Sequence, residues 1–178
     1  DLENLARELV VSYKVESSFL GFDGYPAVLC TSINEEIVHG LPSKRIIQEG
    51  DLVKIDMGIL HKGFHTDSAY TVLIPGGAGF DINLKLVNVT KEALKIGIAK
   101  ARVGNTLGDI GSAIQIFVEA QGFNVVKDLV GHGIGRQLHE DPQVPNYGKP
   151  GQGPVLKEGM VIAIEPMVVI GNPRIADG

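Results

Sequence analysis

Val53-Lys54-Ile55-Asp56-Met57-Gly58-Ile59-Leu60-His61-Lys62-Gly63-Phe64-His65-Thr66-Asp67-Ser68-Ala69-Tyr70-Thr71-Val72-Leu73-Ile74 consists of two apolar, β-rich runs that meet at Lys62-Gly63. The pattern predicts a hairpin with those two residues at its tip, glycine supplying the positive φ that such a turn needs. That register pairs Gly58 with Asp67 and Asp56 with Ala69. Side chains alternate faces along a strand, so Asp56 and Asp67 become diagonal neighbours on one face. Two carboxylates on an otherwise apolar face repel each other and lose solvation, and a shared divalent cation removes both costs. The competing reading turns one or both aspartates to water on a half-exposed hairpin, the commoner fate of acidic residues. The rest of the chain decides between them.

Composition narrows the classes. With 178 residues and 44% hydrophobic content, the chain suits one domain, 1–178, with a substantial core. A net charge of −5 with dispersed lysines and arginines leaves no basic footprint, so no nucleic-acid partner is expected. The single cysteine, Cys30, excludes an internal disulfide and a multi-cysteine metal motif, and it agrees with a reducing compartment. No apolar run is long enough to span a membrane. Asp1 in place of methionine, with a helix already under way in Leu2-Glu3-Asn4-Leu5-Ala6, reads as a chain cut at its start. Asp177-Gly178 reads as a hairpin tip whose returning strand is missing.

Taken in order, the helix is followed by the turn-rich Phe19-Leu20-Gly21-Phe22-Asp23-Gly24-Tyr25-Pro26 and a strand over Ala27–Ile33, with Phe22 and Tyr25 either plugging the core or lining a substrate pocket. His39 stands at the end of an apolar step before a Gly/Pro turn, a position more often structural than catalytic. Lys44 to Asp51 reads as a surface loop. Pro75-Gly76-Gly77-Ala78-Gly79 lacks the Lys-Ser or Lys-Thr of a phosphate cradle. Asp81 caps a helix reaching about Val103, and Thr106 opens a second that ends at Gln121-Gly122. Strands flanking this adjacent pair give an α+β class.

Val125 to Val130 begins a strand running into Gly131-His132-Gly133-Ile134-Gly135-Arg136-Gln137-Leu138-His139-Glu140-Asp141-Pro142. Alternate glycines bare one side of it to another backbone, a substrate or a metal. His132 and His139 fall on opposite faces unless Gly133-Ile134-Gly135 bends, and a bend is expected there. In Met160-Val161-Ile162-Ala163-Ile164-Glu165-Pro166-Met167-Val168-Val169-Ile170 one carboxylate sits among apolar residues and a proline. Both faces of this strand read as buried, so Glu165 needs a charged partner.

Asp56, Asp67, His132 and Glu165 are oxygen and nitrogen ligands suited to first-row divalent metals. In that order the chain resembles type I methionine aminopeptidases. The matching stretches are Gly24-Tyr25-Pro26, Ser32-Ile33-Asn34-Glu35, Val38-His39-Gly40-Leu41-Pro42, Asp56 to Asp67, Gly131 to Arg136, His139-Glu140-Asp141-Pro142 and Ile164-Glu165-Pro166-Met167.

The resemblance implies a single catalytic metallopeptidase domain with the pita-bread fold, antiparallel sheets flanked by paired helices around a dinuclear site, its final strands missing here. It makes Asp56 a ligand of the second metal, Asp67 the bridge, and His132 and Glu165 ligands of the first. A further bridging glutamate of the family falls beyond Gly178, so at most one well-held metal is expected, at Asp67, His132 and Glu165. The implied reaction is hydrolysis of the first peptide bond behind an N-terminal methionine. In it Glu165 moves the proton, His139 stabilises the tetrahedral intermediate and His39 contacts the scissile amide nitrogen. Phe22, Tyr25, Cys30 and Leu138 align with the methionine side-chain pocket, Leu138 standing where an aromatic is common. Cobalt, manganese, iron and zinc all suit the ligand set. The implied setting is a cytoplasmic monomer acting on nascent polypeptides, with the ribosome surface as a further partner and no membrane. His61 and His65 match no family role and read as solvated. Prolidases and X-Pro aminopeptidases share the ligand order but match Gly135-Arg136 and His139-Glu140-Asp141-Pro142 less well. Non-catalytic protein-binding relatives of the fold usually lack the ligands.

Overall fold

The computed structural model describes residues 2–176. Its contacts divide the chain into two compact units, one made of Asp1–Asn83 with Gly135–Leu138 and the other of Leu84–Ile134 with His139–Gly178.

The first unit opens with helix α1 (Leu2–Ser12). Ala6 is buried against Val28 and Leu29, with Ile55 and Met57 packed beside them. The Glu3 carboxylate accepts hydrogen bonds from the Val28 and Leu29 amides at 3.0 and 3.1 Å and pairs with Arg7. These amides are therefore spent on a side chain instead of a strand, and the strand expected from Ala27 begins only at Cys30.

A four-stranded antiparallel sheet follows, built from β1 (Glu16–Ser17), β2 (Cys30–Ile33), β3 (Leu52–His61) and β4 (Phe64–Leu73). Strand β3 is central. β4 pairs with its whole length, while β1 and β2 pair with its two ends. The hairpin turns at Lys62-Gly63 with φ of 52° and 78°, the paired positive values of the turn that matches strand twist. Its register sets Gly58 opposite Asp67 and Asp56 opposite Ala69, as the alternation predicts. Asp51, at the end of the loop expected to lie on the surface, is buried instead; it accepts from the Gln48 amide and the Asn34 side chain, which hold its carboxyl below the usual range.

Helix α2 (Phe80–Lys100) leads into the second unit, and Asp81 lies in its first turn. It stops at Lys100, three residues short of expectation, because the Asn105 side chain caps the Lys100 carbonyl and the Ala101 amide turns back to Ile98. Helix α3 (Leu107–Ala120) opens on a complete capping box, the Thr106 hydroxyl accepting from the Asp109 amide and the Asp109 carboxylate from the Thr106 amide. Ile110, Ile114 and Val118 of α3 are fully buried against Val89 and Ala93 of α2, Phe123, Val125 and Val144. Each of those three side chains contributes about 1.5–3 kcal/mol through burial.

Two short antiparallel pairs complete the unit, β5 (Asn124–Val125) with β8 (Val168–Val169) and β6 (Gly131–Gly133) with β7 (Glu140–Val144). The continuous strand expected from Val125 through Gly133 is thus broken, since Val126 pairs its amide with Met167 while β6 turns to β7. The expected irregularity is present, as a register shift between His132 and Gly133. The 160–170 run is also no continuous strand. It bridges at Ile162 to Gly133, is interrupted at Pro166 and pairs again only at Val168–Val169. Ile162 to Val169 are half-buried, so the expectation of two buried faces is corrected.

Candidate metal centre and active site

In the first unit Cys30, Asp56 and Ala69 are cross-strand partners, so they share a face with Asp67 one diagonal step along the hairpin. Asp56 brings a buried oxygen, Oδ1, to that face. Burial pushes the Cys30 thiol up, and the neighbouring carboxylates of Asp56 and Asp67 act in the same direction, which keeps it a neutral, soft contact. Lys54, two residues before Asp56 on the same face, donates from Nζ to the Asn34 carbonyl at 2.8 Å, and burial pushes its pKa down to about 8. Sequence reading passed over Lys54, although strand alternation alone sets it beside the aspartates.

His39 occupies a left-handed backbone position, φ 59°, and is exposed. A histidine there is strained by ~1 kcal/mol or more and persists only where neighbours impose it. Gly40 imposes it. Its carbonyl accepts from the Thr31 amide at 2.8 Å and shares the Tyr25 hydroxyl proton, at 3.0 Å, with the Leu29 carbonyl at 2.8 Å, and its amide donates to Ser32 Oγ at 3.0 Å. A Cβ on Gly40 would lie 2.4 Å from the Thr31 carbonyl, so only glycine reaches the strand this closely. Tyr25 is therefore a clasp, and burial raises its hydroxyl pKa well above the ordinary value. Phe22 is 41% exposed in a single 3-10 turn, whereas Leu138 is 3% exposed. His65, expected to be solvated, is instead half-buried. Its Nδ1 meets Ser18 Oγ at 2.8 Å and its amide donates to the Gly135 carbonyl at 2.7 Å. His61 is exposed.

In the second unit His132 and Glu165 meet. His132 Nδ1 lies 2.8 Å from the Gly133 carbonyl, which can only accept, so Nδ1 carries a proton and Nε2 is the ring nitrogen turned to Glu165. That Nε2 lies 3.2 Å from Glu165 Oε1, a buried oxygen that accepts no hydrogen bond among the described residues. Two electron-pair donors this close call for a cation between them, either a proton or a metal. His139 is exposed, its ring edge-on to His132 with centroids 4.5 Å apart and planes at 84°. The register shift between His132 and Gly133 and the bends that follow Ile134 are what bring the two imidazoles together despite their strand parity.

The donor set suits a divalent metal: carboxylate oxygens and a neutral imidazole whose tautomer is fixed by a backbone carbonyl. No group of three or more His, Cys, Asp or Glu side chains is gathered as a metal cluster among the described residues. What the structure assembles is one pair in each unit, Asp56 with Asp67 and His132 with Glu165.

A family profile described as metallopeptidase family M24 matches residues 2–177. The chain belongs to that family. Over 173 residues this M24 chain is 51% identical to the methionine aminopeptidase of Clostridium acetobutylicum, covering 97% of the chain and 68% of the relative. Among solved structures, a methionine aminopeptidase from Thermotoga maritima superposes with a TM-score of 0.95 at 46% identity, covering 99% of this chain and 70% of that one. The fold is accordingly the α+β pita-bread fold of the family. A prolidase from Pyrococcus horikoshii superposes with a TM-score of 0.67 at 29% identity, over 78% of this chain and 39% of that one.

Proposed function

We propose that this M24 chain is a metal-dependent aminopeptidase that hydrolyses the peptide bond behind an N-terminal methionine, with Asp56, Asp67, His132 and Glu165 as metal ligands. The observation that carries the reading is the approach of His132 Nε2 to within 3.2 Å of Glu165 Oε1, two metal-ligating side chains from distant parts of an M24 chain. Choice of methionine rests on the relatives, which are more similar when named methionine aminopeptidase than when named prolidase.

Bound divalent ions supply Lewis acidity, lowering the pKa of a water and polarising the scissile carbonyl. The chain's own residues do the rest. Glu165 accepts the proton released by the attacking water and passes it to the leaving amine. His139, exposed and braced edge-on by His132, donates to the oxygen on which charge develops. His39, held in its strained position by Gly40, contacts the scissile amide nitrogen. Cys30, Tyr25, Phe22 and Leu138 form the apolar surface for the methionine side chain, Cys30 as an uncharged thiol.

On this reading both units belong to one catalytic domain, working as a cytoplasmic monomer on chains leaving the ribosome. No described helix is long and apolar enough to cross a membrane. Incubating the chain with Met-Ala-Ser and with Ala-Pro, each with added Mn²⁺ or Co²⁺ and then with excess chelator, tests the proposal. Metal-dependent release of methionine is expected. Preferential cleavage of Ala-Pro would assign a prolidase instead, and chelator-resistant cleavage would refute the metal reading.

A further inference from the structure

We infer that Asn146 is a positioning residue for the candidate metal site, holding the Glu165 main chain so that its carboxylate faces His132. This inference rests on the proposal that Glu165 is a metal ligand. Asn146 lies just beyond β7, is 0% exposed, and donates from Nδ2 to the Glu165 carbonyl at 2.6 Å. That partner can only accept, which fixes the orientation of the amide, since a flipped amide would set two oxygens against each other. Asn146 Oδ1 is thereby left buried, with no hydrogen-bond partner among the described residues. A buried orphan carbonyl opposes folding, so that half of the amide is a cost to stability. The gain lies at the other end of the same amide.

Glu165 needs such a hold because Pro166 follows it and no sheet ladder covers it; the nearest regular pairings are the bridge at Ile162 and the strand at Val168–Val169. The upstream side is already fixed. The Ala163 amide donates to the His132 carbonyl at 2.7 Å and the Ile134 amide to the Val161 carbonyl. A Cβ on Gly131 would lie 2.2 Å from the Ala163 carbonyl, so the two backbones are in contact. Asn146 supplies the corresponding hold at Glu165 itself. Its own segment is rigid, wedged against α3, where a Cβ on Gly111 would fall 2.5 Å from the Pro145 carbonyl and 2.3 Å from the Tyr147 carbonyl. A rigid segment, a donor with no alternative acceptor and a ligand-bearing loop are the parts of a support that sets the direction of a metal ligand.

The test titrates Co²⁺ into the intact chain and follows its visible absorption, with melting temperature measured in parallel, for the wild type, Asn146→Leu, Asn146→Ala and Glu165→Gln. Leucine keeps the volume and removes both the donor and the orphan; alanine removes both without the bulk, so it serves where leucine does not fold. The expected result is Co²⁺ binding weakened by about 10-fold or more, the low end for lost support of a metal ligand, with an altered absorption band and a melting temperature for Asn146→Leu near that of the wild type. Wild-type Co²⁺ affinity and spectrum in a folded Asn146 variant would overturn the inference whatever its melting temperature. Glu165→Gln separates the two layers. If it abolishes binding while the Asn146 variants bind normally, only the support fails; if it too binds normally, the ligand assignment fails and the inference with it.

Discussion

His132 Nε2 and Glu165 Oε1 stand 3.2 Å apart with the imidazole proton committed to the opposite nitrogen. Without a cation the contact sets lone pair against lone pair. In the metal-free chain a proton can close that contact, whereas a bound metal takes its place, and replacing Glu165 with glutamine removes the carboxylate that either cation needs. Mn²⁺ or Co²⁺ should therefore raise the wild-type melting point by several degrees and leave that of the Glu165→Gln chain unmoved. Scanning calorimetry with and without metal reads both effects.

His39 separates stability from activity. Its backbone is left-handed, so His39→Gly relieves strain and should stabilise the chain by about 1 kcal/mol, net of glycine's greater freedom in the unfolded state. On the proposed function the same change also removes a contact to the scissile amide, and methionine release should fall by about 10-fold or more, the scale of a lost hydrogen bond to a reacting group. Denaturant titration and a peptide assay on one preparation check the pair. A parallel loss of both would mean that the ring, rather than the backbone, holds the loop.

The hairpin was legible because its signals are local: two alternating runs, a Lys-Gly tip and a period that sets the faces, so Asp56 and Asp67 follow from counting. The second helix was legible for the same reason, Thr106 and Asp109 forming a capping box three residues apart. What failed was non-local. Ala27–Leu29 look like strand, yet Glu3 on α1 takes the amides, and Val126–Val130 look like strand, yet their continuation turns to β7. The approach of His132 to Glu165 spans residues far apart in the chain, so only an isolated carboxylate in an apolar run hinted at it. Asn146 gave no signal, since an Asn between Pro145 and Tyr147 reads as an ordinary loop residue.

Gly131 has no room for a side chain, its missing Cβ lying 2.2 Å from the Ala163 carbonyl. Gly131→Ala should destabilise the chain by ~1–3 kcal/mol, as overpacking does. It should also weaken metal binding, because the displaced segments carry His132 and Glu165. Urea unfolding together with a Co²⁺ titration checks both, and a variant that loses stability but binds Co²⁺ normally would show the two strands to be independent.

Acid sensitivity should trace partly to the α3 cap. The Thr106 amide and hydroxyl, with the Gly151 amide, hold the Asp109 carboxyl below the usual range. A carboxyl depressed in the folded state contributes stability above its unfolded pKa and loses it as pH falls through the folded value, so the contribution disappears below about pH 4. Asp109→Asn should flatten that part of the stability profile. Thr106→Ala should cost about 1 kcal/mol at neutral pH. Unfolding free energies from pH 2 to pH 7 check both.

The most direct measurement is an anomalous difference map from crystals of the chain grown with Mn²⁺ or Co²⁺. The account predicts a peak at about 2.0–2.3 Å from both His132 Nε2 and Glu165 Oε1, ordinary coordination distances for such ions. A metal-soaked crystal with His132 and Glu165 ordered and no anomalous peak between them would contradict it.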